Sequence, residues 1–224
     1  MGFSNTSKGR GIKGSKYWIQ TVVEDQTLQN KLNAMIGESL VWISPLAGPQ
    51  NTYDEYELSD PYICKQLGIS VEEAKELFSF WPKRQPQWDG IAFDTTGRTL
   101  YLVEAKAHLG EMISKCSASN PDSRDLISNS MKAVQEKYFP KGKFDFWMDG
   151  YYQLGNRLTF LKRLNKNGFG RIDSVKLVLL NFVNDDYGNT SEKMWNDYYK
   201  KVWEKMTGSE MPPQDVIVVN FDIG

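Results

Sequence analysis

Hydrophobic and polar positions follow two different periods along this chain. From Tyr17 to Ile36 apolar residues return every three to four positions and Gly37 follows them, so the spacing predicts a helix over 17–36 with a glycine stop. Gln87 to Asp94 and Thr99 to Ala107 alternate with a period of two on either side of Thr95-Thr96-Gly97-Arg98, which predicts two strands joined by a turn. Ser39 to Ser44 reads as a short strand before the Pro45–Pro49 loop. Asp60-Pro61 and Ser70-x-x-Glu73 open two short helices, the second with capping-box spacing. Helices are predicted over Ser123 to Phe139, Asp149 to Leu164 and Glu192 to Lys205. Val175 to Val183 is a nearly continuous apolar run, as expected of a strand covered on both faces, and Val216 to Phe221 closes the series as a last strand. The result is a mixed α/β chain.

The strand pair carries the informative residues. Glu104 and Lys106 share a face, about 7 Å apart along the strand, together with Leu100 and Leu102. A four-residue turn at 95–98 pairs Asp94 with Thr99 and therefore sets Asp89 opposite Glu104, where facing Cβ atoms lie ~5 Å apart. Two carboxylates at that distance repel unless a cation joins them, and a bound Mg²⁺ or the neighbouring Lys106 would serve. The same letters at Glu73-Ala74-Lys75 fall in a helix, where positions two apart do not converge. The bland reading of Asp89, Glu104 and Lys106 is a cross-strand salt bridge.

Composition narrows the chemistry. The 224 residues contain one histidine, His108, which excludes His-rich zinc sites and leaves a histidine-based triad only if His108 is the base. Cys64 and Cys116 form no cluster, and residues 1–16 hold no apolar run of a signal or anchor, so a reducing, cytoplasmic setting and no membrane are expected. Neither a Gly-x-Ser-x-Gly elbow nor a Gly-rich phosphate loop is present. Charge balances to −1 but is unevenly spread. Lys8, Arg10, Lys13 and Lys16 make a basic arm over 1–16, read either as a solvated flexible tail or as an arm lying on a phosphate backbone. Seven acids between Asp54 and Glu76 face only Lys65 and Lys75, whereas 151–176 holds six cations against Asp173. Residues 17–224 read as a single domain.

Trp88-Asp89, fourteen residues, then Glu104-Ala105-Lys106 resembles the core motif of the PD-(D/E)xK nuclease superfamily. Phe80-Trp81-Pro82, Pro86-Gln87-Trp88-Asp89, Val103 to His108, Asn156-Arg157-Leu158, Trp42-x-Ser44-Pro45-Leu46 and Tyr53-x-Glu55-Tyr56 look like a group of bacterial proteins within it. The chain departs from the motif's name in placing Trp88 before Asp89. The resemblance implies a restriction-endonuclease-like αβββαβ core, a mixed sheet sandwiched by helices. It implies Mg²⁺-dependent phosphodiester hydrolysis, with Mn²⁺ as a substitute, acting on nucleic acid and on DNA rather than RNA. Asp89, Glu104 and the backbone carbonyl of Ala105 would hold the metal, and Lys106 would contact the scissile phosphate or the attacking water. The alternative is a catalytically silent nucleic-acid-binding or regulatory module on the same fold.

Other positions join the candidates. Superfamily members often add a carboxylate from the first helix, and Glu24 lies on the apolar stripe of Leu28, Leu32 and Met35, where it is costly unless paired or metal-bound. Its bland reading is a pair with a basic neighbour, and Glu38 is a competitor. Gln153 and Arg157 form a polar stripe beside the buried Tyr151, Leu154, Leu158 and Leu161. Members often carry a Gln or Lys near position 153. Arg157 stands where the RecB-like subgroup has Tyr, and it would meet a backbone phosphate, a site acid or solvent. His108 would reach a phosphate or orient a ligand, or be merely structural. The tryptophans at 42, 81, 88, 147, 195 and 203 read as core before base-stacking platforms.

Overall fold

A computed structural model describes residues 9–166 and 168–224 of the chain. In its first half lie helices α1 (Gly14–Glu24) and α2 (Gln26–Ile36), strand β1 (Val41–Ser44), short helices α3 (Pro61–Leu67) and α4 (Val71–Leu77), and strands β2 (Gly90–Phe93) and β3 (Thr99–Lys106). A two-residue strand β4 (Ser114–Lys115), helices α5 (Pro121–Tyr138) and α6 (Asp145–Met148) and a matching strand β5 (Asp149–Gly150) follow. The chain closes through α7 (Tyr152–Leu164), β6 (Ser174–Val183), α8 (Glu192–Thr207) and β7 (Val216–Asp222).

The main sheet has five strands in the order β1-β2-β3-β6-β7, so the fold is mixed α/β. β1 to β3 form an antiparallel meander, while β3, β6 and β7 run parallel. Parallel neighbours need helical crossovers, and α7 and α8 supply them. Alternation along β3 divides the interior into two apolar clusters. Tyr101, Val103, Ala105 and Ala107 pack with Ile19, Val22 and Val23 of α1. Leu100 and Leu102 pack instead with Leu154, Leu158 and Leu161 of α7 and with Trp195 and Trp203 of α8. Helices thus cover both faces of the sheet. Trp88, Trp147, Trp195 and Trp203 are fully buried, as the core reading of the tryptophans expects. No helix among the described residues is long and apolar enough to cross a membrane.

Three expectations change. The helix over 17–36 is two helices, broken at Asp25 (φ −94°, ψ 116°), whose carboxylate accepts from the backbone N–H groups of Thr27 and Leu28. Aspartate satisfies the free donors of a helix start better than it fits a helix interior, so it ends one helix and caps the next. Gly37 stops the second helix in the left-handed region, φ 80°. Secondly, residues 1–8 of the expected arm lie outside the described residues, while 9–16 fold onto the domain. Arg10 reaches Glu24, Tyr53 and Thr21, the Gly11 N–H donates to Gln20, and Gly14 already begins α1. Thirdly, most of the basic run 151–176 is engaged within the domain: Arg157 is buried, Lys162 and Lys176 pair with Asp215, and Arg163 and Arg171 lie over Phe80 and Phe93, while Lys166 is exposed.

Candidate active site

The β2–β3 hairpin has the register that its turn dictates. Gly90 pairs with Val103 and Phe93 with Leu100, while the Asp94 carboxylate accepts from the backbone of Arg98 and Thr99 to close the turn. One residue before β2, Asp89 therefore stands across from Glu104. Its Oδ2 accepts from the Ala105 N–H at 2.8 Å. A residue's N–H and C=O point to the same edge of an extended strand, so the Ala105 carbonyl also projects to the Asp89 side. Gly90 has no room for a side chain: a Cβ there would lie 2.8 Å from the Trp42 ring and 3.1 Å from Ile19 Cδ1. That close approach of β1 and α1 fixes the backbone beside Asp89.

Glu104 and Lys106 continue the apolar stripe of Leu100 and Leu102, and both are buried, 5% and 7% exposed. The Lys106 ammonium donates to Glu104 Oε1 at 2.5 Å. Arg157, 4% exposed on α7, donates through Nε to Glu104 Oε2 at 2.6 Å and through an Nη to the Gln87 carbonyl at 2.7 Å. Its guanidinium lies 4.3 Å from the Trp88 ring centre, a stacked cation–aromatic contact. Of the three readings open for Arg157, the structure shows the pair with a site acid.

The charges of this cluster are strongly coupled. Burial pushes the Asp89 carboxyl up and the Glu104 charge pushes the same way. Lys106, the Ala105 N–H and Arg157 pull it back, leaving Asp89 at about 7. Burial acts upward on Glu104 as well, but Arg157 and Lys106 outweigh it and hold this carboxyl well below its ordinary range. Lys106 loses by burial and gains more from Glu104 and Asp89, so its pKa is raised. At neutral pH Glu104 is a carboxylate between two cations. Asp89 is poised between charge states, and its Oδ1 has no hydrogen bond among the described residues.

Beside the pair runs a narrow cleft with room for little more than a water molecule, lined by Glu104, Lys106 and Gln153 with Met112, Leu154, Leu179 and Tyr199. Gln153 thus lies where the sequence places it, held by its backbone N–H on Ser114 Oγ at 2.9 Å. Two residues escaped the sequence reading. Tyr199, buried on α8, donates its hydroxyl to Asn181 Oδ1 at 2.9 Å, and Asn181 sits beside Lys106 in the parallel β3–β6 register. The Asn181 amide donates to Asn220, whose amide donates to Asn196. Asn181 left a trace in the sequence, being, Lys176 apart, the one polar residue in the run 175–183.

The other candidates are placed elsewhere. Glu24 accepts from Tyr53 and Arg10, the basic-neighbour reading, and α1 packs on the face of β3 opposite to Glu104. His108 points to Glu111, Nε2 to Oε1 3.3 Å, and Glu111 also takes Ser15 Oγ at 2.8 Å. Among the described residues no group of three or more His, Cys, Asp or Glu side chains is placed to hold a metal. The carboxylates brought together are two, Asp89 and Glu104. Both cysteines are buried and free. Compared with protein-family models, with curated proteins and with solved structures, the chain matches none.

Proposed function

We propose that this chain is a Mg²⁺-dependent nuclease with a restriction-endonuclease-like core of the PD-(D/E)xK type, cutting phosphodiester bonds of DNA. One observation carries the reading. Asp89 and Glu104 face each other at the open end of an apolar sheet face, with Lys106 two residues on and Asp89 Oδ1 without a hydrogen bond among the described residues. The order of a helical pair, a three-strand meander, α7 and a parallel strand supports it.

The donor set fits a hard cation. Asp89, Glu104 and the Ala105 carbonyl offer oxygen alone, and Mg²⁺ is commonly held by one or two carboxylates with waters and phosphate oxygens completing the shell. When bound, the ion lowers the pKa of a water and stabilises charge developing on the phosphate. Asp89 and Glu104 would hold the ion. The Lys106 ammonium spends one donor on Glu104 and aims the others at a phosphate oxygen or the attacking water. Arg157, fixed by Gln87 and Trp88, orients Glu104. Burial by Met112, Leu154 and Leu179 keeps bulk solvent from the pair and strengthens each of these interactions.

A second reading has its own observation. Both oxygens of Glu104 are already taken, by Lys106 and Arg157, so the cluster is neutralised without a divalent ion. That is what a silent binding or regulatory module needs. Incubation with supercoiled, linear and single-stranded DNA in Mg²⁺, Mn²⁺ or chelator separates the two. Metal-dependent cleavage is expected, falling about a hundredfold or more in Asp89→Asn and in Lys106→Ala while the far-ultraviolet circular dichroism is kept. Cleavage undiminished in both variants refutes the nuclease assignment. No cleavage together with no heat of Mn²⁺ binding leaves the silent module.

A further inference from the structure

A basic face forms where two distant parts of the chain meet. Residues 140–144, after α5, lie against the end of α8: the Lys143 N–H donates to the Lys205 carbonyl at 2.8 Å, and Gly208 abuts Lys141. Trp147 Nε1, on the adjoining α6, donates to the Met206 carbonyl at 2.9 Å. This brings the exposed Lys141 and Lys143 beside Lys201 and Lys205, which share an α8 stripe with Tyr198. None of these four ammonium groups has an ion pair with a carboxylate among the described residues, whereas the exposed Lys75, Lys132 and Lys193 each do. The negative end of α8 favours a cation in its last turn and accounts for Lys205, not for four.

The face is continuous with the cleft. Lys205 lies 4.9 Å from the ring centre of Phe146 and 5.9 Å from that of Tyr151. Tyr151 immediately precedes α7, two residues from the cleft-lining Gln153, and its ring meets Tyr198 edge-on at 6.3 Å. Tyr198 in turn adjoins Tyr199, which lines the cleft from α8. In a chain of net charge −1, unpaired cations concentrated next to the buried Glu104 and the half-buried Asp89 are a local and directional signal.

We propose that Lys141, Lys143, Lys201 and Lys205 take the phosphate backbone of the DNA duplex whose scissile bond enters the cleft. This inference rests on the nuclease reading. Backbone contacts of this kind set register and affinity without reading sequence.

Fluorescence anisotropy with a labelled 20-base-pair duplex, in chelator and over 50–300 mM salt, tests it. Wild type is compared with Lys143→Glu/Lys201→Glu/Lys205→Glu and with a control reversal on other elements, Lys65→Glu/Lys75→Glu on α3 and α4. The triple variant is expected to bind about tenfold more weakly or worse. Its logarithmic salt slope should shrink by about two to three, near 0.9 per lost phosphate contact. The control should keep both values. Wild-type affinity and slope in the triple variant overturn the proposal. So does a wild type that ignores DNA but binds phosphatidylserine vesicles, which would make the face a membrane-surface site. Binding through these lysines with no cleavage in Mg²⁺ defeats the nuclease reading and leaves the DNA face standing. Metal-dependent cleavage with a triple variant that binds like wild type does the reverse.

Discussion

Arg157→Met removes one of the two cations that hold Glu104 ionised. Glu104 lies between Lys106 and Arg157, and methionine leaves it a single ammonium, shared with the partly ionised Asp89. At ~5 Å and an effective dielectric of ~20, the two carboxylates repel by about 3 kcal/mol when both are ionised. The variant also strands the Gln87 carbonyl and exposes the face of Trp88 to a poorer partner. Breaking one member of a buried ion pair costs about 3–5 kcal/mol, and that is the expected loss. For a chain of this size it lowers the melting temperature by roughly 6–20 °C. Urea unfolding at pH 7 gives the loss directly. Glu104→Gln/Arg157→Met then completes a double-mutant cycle in which most of the loss should be recovered as coupling. Mn²⁺ should restore the single variant, because an ion that binds only the folded form stabilises by about 2.7 kcal/mol at a hundred times its dissociation constant. A loss under about 1 kcal/mol, or coupling under about 0.5, would refute this account of the cluster.

Two other expectations follow from the same neighbourhood. Asp89 has its folded pKa raised to about 7, so the folded protein holds an extra proton between about 4 and 7, and stability is lost as pH rises through 7. Asp89→Asn should therefore be more stable than wild type at pH 8 and lose that advantage at pH 5; equal differences at both, by urea titration, contradict the raised value. Gly90→Ala forces a methyl group against Trp42 and Ile19 and should cost about 1–3 kcal/mol in thermal or urea unfolding, with a neutral substitution ruling out the tight approach of β1 and α1.

Much of this arrangement was legible because local signals agreed with the fold. The Thr95-Thr96-Gly97-Arg98 turn and period-two alternation specify the hairpin register, and with it the meeting of Asp89 and Glu104. The leucine stripe of α7 specifies which side of that helix approaches the sheet, and Gln153 comes with it. Asp25 defeated the single-helix reading because apolar periodicity runs through a residue whose side chain prefers to cap. Tyr199, Asn181 and the lysine face escaped because each depends on contacts between distant segments, α8 against β6 and 140–144 against α8. Arg157 was visible as polar, but its burial depends on Glu104 and Trp88 meeting it.

The alternation along β3 has a consequence for folding fidelity. Its two faces enter two separate apolar clusters, and only one of them ends in charged residues with partners waiting. A one-residue slip of this strand would turn Glu104 and Lys106 toward Ile19, Val22 and Val23, away from Arg157. Burying an ionised pair there, without the guanidinium, costs several kcal/mol. The Glu104–Lys106 pair is thus also a proofreader of strand alignment, and neutralising it should yield a chain that misaligns more often even where its native state survives.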